Sequence, residues 1–339
     1  MKQISLLLVF SILYLLVDGK DDPSIFQHFQ RDSLLQMTLK TDLRQLVRKK
    51  SRESYQAAQL NYLDATGIEQ MVQLKVRARG NARKSLCFYP PLKLKFAKAD
   101  LEAMGFNTNF NKLKLVCPCK KGELHEQYLI REYLAYRLFN EVSPMSFRVQ
   151  LVALNIVDTT EKMKPLKSYG FLIEPEQEVA TRFDGIPHRT SVLNPKYTLP
   201  EQTNLIYLFQ YMIGNTDWSI TGQHNMFSFR TRRYTLPVCV PYDFDYSGIV
   251  NTTYAVLSEK LSISSVTERL FRGTCRAEGT YASVAQSFIT RKAAFYQIIA
   301  ACSPLTSKSS DWMCTYLDEF FKIIENPKLL QASVVGYCR

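Results

Sequence analysis

Polar side chains that could perform acid–base or metal chemistry cluster in one stretch of the C-terminal half of the chain. An apolar, helix-like run leads into a loop with Asp217 and Asn225, and a hairpin pattern leads into a second loop with Asp243 and Asp245. Carboxylates and carboxamides at the ends of buried elements cost free energy unless they bind something. A hard divalent cation or a transferable proton is the usual partner, so we predict a metal or proton-transfer site here.

A second acid with unusual surroundings lies on a predicted helix over residues 123–142. A helical wheel places Glu132 in an apolar stripe, where an acid needs a partner. Lys93 or Lys95, on a preceding strand, is the candidate. The alternative is that Glu132 snorkels to solvent or pairs with a nearby arginine such as Arg131. The neighbours of Glu132 on the stripe are Tyr128, Leu129, Ala135, Tyr136 and Phe139.

Basic residues occupy the tip of a predicted hairpin that precedes this helix. Residues 72–79 alternate between apolar and polar or basic side chains, and residues 92–96 do the same, as half-exposed strands do. Between the two strands, Arg79, Gly80 and Asn81 begin a tip whose donors could cradle phosphate groups. An ordinary exposed hairpin tip is the plainer interpretation.

The remaining pattern predicts an α+β protein of two lobes. A polar, irregular segment follows residue 175, and it separates a sheet-rich lobe at 21–175 from a mainly helical lobe at 176–339. Further strands are expected at 35–39, 112–116, 149–157 and 168–175, and further helices at 200–213, 258–270, 281–301 and 311–324.

The N-terminus and the cysteines indicate a protein outside the cytoplasm. Residues 1–20 have a lysine followed by a short apolar run and a polar break, which is the layout of a secretory signal peptide. Eight cysteines, an even number, suggest disulfide bonds of unknown connectivity. No later apolar run is long enough to span a bilayer, so we expect a secreted, periplasmic or cell-surface protein with no stable membrane span.

The net charge of +12 is high, and it is spread along the 339 residues. A solvated basic face explains it most simply, and a phosphate-bearing substrate near residues 77–84 is the sharper alternative. We expect no nucleic-acid partner.

The order of these motifs resembles the CotH kinase family of secreted or spore-coat atypical protein kinases. The resemblance covers about half of the chain, and the motifs are, in order, RARGNARKSLCFYPPLKLKF, LIREYLAYRLFNEV, YGFLIEP, GNTDWSITGQHNMF and VPYDFDYSG. It implies a two-lobed protein-kinase-like fold, with a small antiparallel-sheet lobe plus one helix followed by a larger, mainly helical lobe. It also implies transfer of a phosphoryl group from ATP, bound with Mg²⁺ or Mn²⁺, to a protein or other acceptor.

The resemblance assigns roles by position. Asp217 would be the catalytic base, and Asn225, Asp243 and Asp245 would be the metal ligands. The nucleotide would be bound by residues of the sheet-rich lobe and the segment that follows it: Arg79, Gly80, Asn81, Lys93, Lys95, Glu132 and Glu174.

One spacing departs from the kinase pattern, in which the catalytic Asp precedes the metal-binding Asn by about five positions. Asp217 and Asn225 are eight positions apart, so three extra residues must be looped out or the site must be rebuilt. A catalytically inactive, kinase-like surface protein used for binding or adhesion is therefore the main alternative. A glycosyltransferase using the D-x-D motif and a purely structural turn are the others. Cys-His catalysis is a further alternative, but we interpret His224, the histidine near the acids, as shaping the loop.

Overall fold

The computed structural model describes residues 22–52 and 54–338. The predicted signal peptide, residues 1–20, lies outside the described residues. The described part contains seven strands that share one sheet: β1 (Leu35–Thr41), β2 (Gln56–Leu63), β3 (Glu69–Ala78), β4 (Leu92–Phe96), β5 (Lys112–Val116), β6 (Val149–Asp158) and β7 (Leu166–Ile173).

These seven strands close into a barrel in the order β1-β2-β3-β4-β5-β7-β6. Neighbouring strands are antiparallel except β1 and β6, whose parallel pairing runs from Leu35↔Val152 to Thr41↔Asp158 and closes the ring. Along β3 and β4, buried and solvent-facing residues alternate as the sequence predicts. The predicted hairpin of β3 and β4 is confirmed, with Ala78 opposite Leu92.

The predicted two-lobed kinase-like fold with a small antiparallel-sheet lobe is wrong. The sheet has seven strands of mixed direction and closes on itself, so it has no open edge. Two features were missed in the sequence. Strand β2 has amides and alanines among its outward positions, which weakens its strand signal, and β6 pairs with β1 as well as β7, which no local pattern reveals.

Eleven α-helices accompany the strands: α1 (Ile25–Phe29), α2 (Leu43–Arg48), α3 (Ala82–Leu86), α4 (Lys98–Ala103), α5 (Glu123–Val142), α6 (Glu176–Thr181), α7 (Pro200–Met212), α8 (Thr280–Thr290), α9 (Lys292–Ala300), α10 (Ser307–Ile324) and α11 (Pro327–Ser333), within the residues described. A second sheet, in the order β10-β9-β8, is formed by β8 (Gly185–Pro187), β9 (Met226–Thr231) and β10 (Tyr234–Pro241). None of the described helices combines the length and the apolarity needed to cross a membrane.

One predicted helix, at residues 258–270, does not form, and the segment consists of turns and bends. Its hydroxyl side chains bond locally instead: Ser264 Oγ donates to Glu268 Oε1 at 2.7 Å, and Ser265 and Thr267 share a 2.8 Å hydrogen bond. Such local bonds compete with helix formation. The apolar spacing of this segment is therefore misleading.

Two apolar cores organise the molecule. The first fills the barrel and is closed at one end by α1, whose Ile25, Phe26 and Phe29 are fully buried. The second surrounds α5 and extends over α7 to α11. Helix α5 contacts β6 and β7 of the barrel on one side and α7, α9 and α10 on the other. It therefore connects the barrel to the helices that follow residue 175.

Two disulfide bonds join Cys87 to Cys119 and Cys275 to Cys338. They confirm the expectation of disulfides and are consistent with an oxidising compartment outside the cytoplasm. The other four cysteines are free thiols: Cys117, Cys239, Cys302 and Cys314.

Candidate functional site

The loop that carries Asp217 is fixed by the end of α7. Gly214 has a φ of +63°, and a side chain there would clash with the hydroxyl of Tyr316, so only glycine fits the turn. The side chain of Asn215 then accepts the N–H of Asp217 at 3.0 Å. The turn at Gly214 and the side chain of Asn215 therefore position the backbone of Asp217.

The eight-residue spacing between Asp217 and Asn225 is closed by a small loop. The backbones of Ser219 and His224 exchange two hydrogen bonds of 3.0 Å, which loops out the residues between them. The amide of Asn225 donates to the backbone oxygen of Asp217 at 2.8 Å and to its Oδ2 at 3.1 Å. Nε2 of His224 lies 2.8 Å from Oδ1 of Asp217, so both carboxylate oxygens are held in place.

Two hydrogen bonds from backbone N–H groups hold Asp243 between this loop and α5. Its own N–H donates to the hydroxyl of Tyr136, on α5, at 2.8 Å, and the N–H of Tyr242 donates to the oxygen of Asn225 at 3.1 Å. Asp243 has a φ of +62°, an unusual conformation for a residue with a side chain. The structure thus brings together the two loops that the sequence singles out.

The phenol of Tyr246 responds to the acids of both loops. Burial raises the pKa of Tyr246, and the carboxylates of Asp245, Asp217 and Asp243 raise it further. Carboxylates that act on the same group must lie within a short distance of it. The hydrogen bond from the N–H of Tyr242 to the backbone oxygen of Asn225 holds the two acidic loops beside each other.

Asp245 belongs to a buried group with Arg83 and Glu132. Nη1 of Arg83 donates to Oε2 of Glu132 at 2.9 Å, and its Nε lies 3.8 Å from Oδ2 of Asp245. Burial raises the pKa of Glu132 to about 7, although Arg83 opposes the shift. Burial and the charge of Asp243 raise the pKa of Asp245 well above its ordinary value. Two buried acids thus share one arginine.

Arg83 was missed as the partner of Glu132. The sequence pointed to Lys93 or Lys95, with Arg131 as the alternative, but Arg83 makes the ion pair. The guanidinium of Arg131 instead lies 5.0 Å from the centre of the Tyr128 ring. The predicted partner was therefore wrong, although the need for one was correct.

Short helix α3 and a disulfide hold Arg83 in the site. Cys87, immediately after α3, is bonded to Cys119, three residues after β5, and Nη2 of Arg83 donates to the backbone oxygen of Cys117 at 2.9 Å. The sequence offered one signal, a basic residue a few positions before a cysteine. The disulfide partner of that cysteine could not be deduced from the sequence.

Lys93 and Lys95 lie on the outer face of β4. Lys95 is 5.6 Å from the centre of the Tyr55 ring. Lys93 lines a cleft of about 720 Å³ together with other polar and basic side chains, which include Lys112, Lys114, Glu176, His188 and Arg189. Lys93 is therefore the one of the two that faces the cleft.

Arg79 and Lys114 approach Asp243 from the barrel side. Both line a small pocket with Glu132, Tyr136 and Asp243. Lys114 also borders the larger cleft, so it joins the two spaces, and the sequence did not single it out. Gly80, with a φ of +86°, and Asn81 are exposed at the start of α3.

Glu174 is buried and surrounded by arginines. Its carboxylate accepts hydrogen bonds from Arg148 at 2.6 Å and from Arg182 at 2.7 Å. Arg148 also bonds Glu178, which accepts a 2.8 Å bond from Ser24. Glu174 has no exposed surface, so this network ties α1, β6, β7 and α6 together.

The residues present fit a cation that takes few protein ligands. Among residues 22–52 and 54–338, no group of three or more His, Cys, Asp and Glu side chains is arranged to hold a metal ion. Mg²⁺, however, is usually held by one or two carboxylates, water and substrate phosphates. Oδ2 of Asp245 is buried without a hydrogen-bond partner, and a cation would satisfy it. The other candidate oxygen ligands are Asp243, two residues before Asp245, and Asn225, whose backbone oxygen accepts the N–H of Tyr242.

No protein-family model matches this chain, and no curated protein matches it.

Proposed function

We propose that this protein is a metal-dependent phosphotransferase that moves a phosphoryl group from ATP to a protein or other acceptor outside the cytoplasm. The observation that carries the proposal is the contact between Asp217 and Asn225 beside Asp243. Phosphoryl transfer depends on a positioned acid, oxygen ligands for a metal and cations for the phosphates. Asp217 is the candidate for the first, and Asp243, with Arg79 and Lys114 beside it, supports the other two.

Asp217 is the residue that would accept the proton of the acceptor hydroxyl. His224 and Asn225 each contact one of its oxygens, which orients the carboxylate. Asn225, Asp243 and Asp245 would hold Mg²⁺ or Mn²⁺. A bound ion would neutralise charge on the transferred group.

Cations on the barrel side would hold the phosphates. Arg79 and Lys114 border Asp243, and Lys93 lies in the adjoining cleft. A cleft of about 720 Å³ is within the usual size range of small-ligand sites, roughly 300–1,000 Å³. Glu132, through Arg83, would fix the floor of the site.

The resemblance to the CotH kinase family supports the chemistry rather than the fold. Its motifs contain Asp217, Asn225 and Asp243, which lie together in the structure. The expected signal peptide at residues 1–20 and the two disulfide bonds support a secreted, periplasmic or cell-surface location.

The test compares Asp217→Asn, Asp243→Ala and the surface control Asp184→Asn in an ATP transfer assay. We expect Asp217→Asn to lower kcat at least about 100-fold with little change in nucleotide affinity, since a base acts mainly in the transition state. Asp243→Ala should also weaken metal-dependent ATP binding. Asp184 forms an exposed ion pair with Arg233, so its replacement should leave both quantities unchanged.

Two outcomes would count against the proposal. Wild-type transfer rates in both site variants would exclude these acids from catalysis. A thermal midpoint of the disulfide-intact protein that does not respond to ATP with Mg²⁺ or Mn²⁺ would instead favour the alternative of a binding or adhesion protein without catalytic activity.

A further inference from the structure

Two rows of cations cross the outer face of β3, β4 and β5. Lys75 lies opposite Lys95, which lies opposite Lys112, and these three form the first row. The second row has the same cross-strand register, and its members are Arg77, Lys93 and Lys114. We call these six residues the cationic grid. Neighbouring residues within the grid have Cα atoms about 5 Å apart across strands and about 7 Å apart along a strand.

Like charges directly opposite each other destabilise a sheet, so the grid costs folding free energy. Glu176 pairs with Lys114 at 2.7 Å. In the part of the chain that the structure describes, Lys75, Lys93, Lys95 and Lys112 form no ion pair with an acid. The ring of Tyr55 lies between the rows, 5.4 Å from Arg77 and 5.6 Å from Lys95.

The adjoining face of the same barrel is built differently. On β2 and β3, Gln59 lies opposite Gln73, and their side chains bond at 3.3 Å. Gln59 also bonds Asn61 at 2.7 Å, and Asn61 bonds Glu69 at 3.0 Å. Exposed strand positions in this barrel therefore do not require lysine, and the accumulation of cations is confined to β3, β4 and β5.

We infer that the cationic grid is a docking surface for an acidic polypeptide segment. The barrel is closed, so a partner has no strand edge to extend and must bind through side chains on the face. In an extended segment, side chains on one face recur about every 7 Å, which matches the spacing of the cations along each strand. Carboxylates at alternate positions could therefore meet both rows.

The grid leads into the cleft described above. Lys93, Lys112 and Lys114 belong to both, so a segment bound on the grid would continue towards Asp243. This docking surface does not depend on the proposed phosphotransferase activity, since binding can be measured without nucleotide or metal. If the activity holds, the grid also selects acidic proteins as acceptors.

The test measures binding of a fluorescent octapeptide with Glu at alternate positions, by fluorescence anisotropy at low salt. Its control peptide has Gln in place of Glu. Lys95→Glu reverses the central charge of the first row, and Lys328→Glu makes the same change at an exposed position of α11. We expect Lys95→Glu to weaken binding about 10-fold and Lys328→Glu to change it less than about two-fold.

Stability provides a second measurement. Because Lys95 lies between Lys75 and Lys112, Lys95→Glu replaces two repulsions by two attractions, so its thermal midpoint should equal or exceed that of the wild type. Weaker binding by a protein that is at least as stable cannot be attributed to misfolding.

Each remaining outcome overturns the inference. If Lys95→Glu binds the Glu peptide as tightly as the wild type does, the grid is not the binding surface. If Lys328→Glu loses as much affinity as Lys95→Glu, only the net charge of the protein matters. Equal binding of the Gln peptide would exclude charge recognition. If heparin or single-stranded DNA of equal charge binds at least about 10-fold more tightly and this binding is lost in Lys95→Glu, the occupant is a different polyanion.

Discussion

The network around Glu174 and the cluster around Asp245 are both buried, but their charges are balanced differently. In the network, two carboxylates, Glu174 and Glu178, are matched by two arginines, Arg148 and Arg182. Both oxygens of Glu174 accept hydrogen bonds from arginine side chains. Oε2 of Glu178 has no hydrogen-bond partner, but each carboxylate of the network has an arginine beside it, so the group does not need a further cation.

The buried part of the cluster around Asp245 has two acids for one cation, whereas Asp243 at its edge has Arg79 and Lys114 beside it. Glu132 and Asp245 share Arg83, and Asp243 adds a further negative charge beside them. Oδ2 of Asp245 and Nε of Arg83 have no hydrogen-bond partner. The difference teaches that burial of acids alone does not identify a site. Two buried carboxylates that share one arginine are a better indication, because the second one is stable only with a proton or a bound cation.

The largest expected effect breaks the balanced network. Glu174→Ala should lower the free energy of unfolding by about 4 kcal/mol, because it leaves Arg148 and Arg182 without their main partner. Urea denaturation checks this value. Glu176→Ala, which removes a partly exposed ion pair with Lys114, is the control and should cost less than about 1 kcal/mol. Similar losses in both variants would contradict the structural role of the network.

A second prediction concerns the pH dependence of the network. Burial and the charge of Glu174 raise the pKa of Glu178 from 4.5 to about 7. Between these values the folded protein keeps a proton that the unfolded chain has lost, so rising pH destabilises the fold through this group. Relative to wild type, Glu178→Gln should gain about 3 kcal/mol between pH 4.5 and 7. A difference independent of pH would contradict the raised pKa.

The smallest expected effect tests the unbalanced cluster. Asp245→Asn keeps the shape of the side chain and removes one unmatched charge, so it should raise the free energy of unfolding at pH 7 by about 1 kcal/mol. The same variant should lose any stabilisation by Mg²⁺ with ATP. Urea denaturation with and without these ligands measures both. A clear loss of stability in Asp245→Asn would show that the cluster is structural, like the network around Glu174.

Local patterns predicted most elements near the site. The helix expected at 123–142 is α5, and the strand expected at 112–116 is β5. The hairpin expected between the two acidic loops is formed by β9 and β10. Regular apolar spacing carries this information because these elements each bury one continuous face. It failed at residues 258–270, where serine and threonine side chains bond to their neighbours instead.

Residue types and spacing were enough to select four candidates: Asp217, Asn225, Asp243 and Asp245. Acids and amides beside buried apolar elements cost free energy unless they bind a partner. The sequence also indicated that Glu132 must be paired. These conclusions follow from the cost of burying a charge, which is a property of the residue and its immediate neighbours.

Only the tertiary structure decided the rest. The parallel pairing of β1 with β6 closes the barrel across more than a hundred residues of chain, so local patterns could not exclude the two-lobed fold. The choice of Arg83 as the partner of Glu132 depends on the position of α3 and the Cys87–Cys119 bond. The cationic grid depends on strand register. Long-range pairing and register are set by the packing of the whole molecule, and a sequence pattern with a period of two does not contain them.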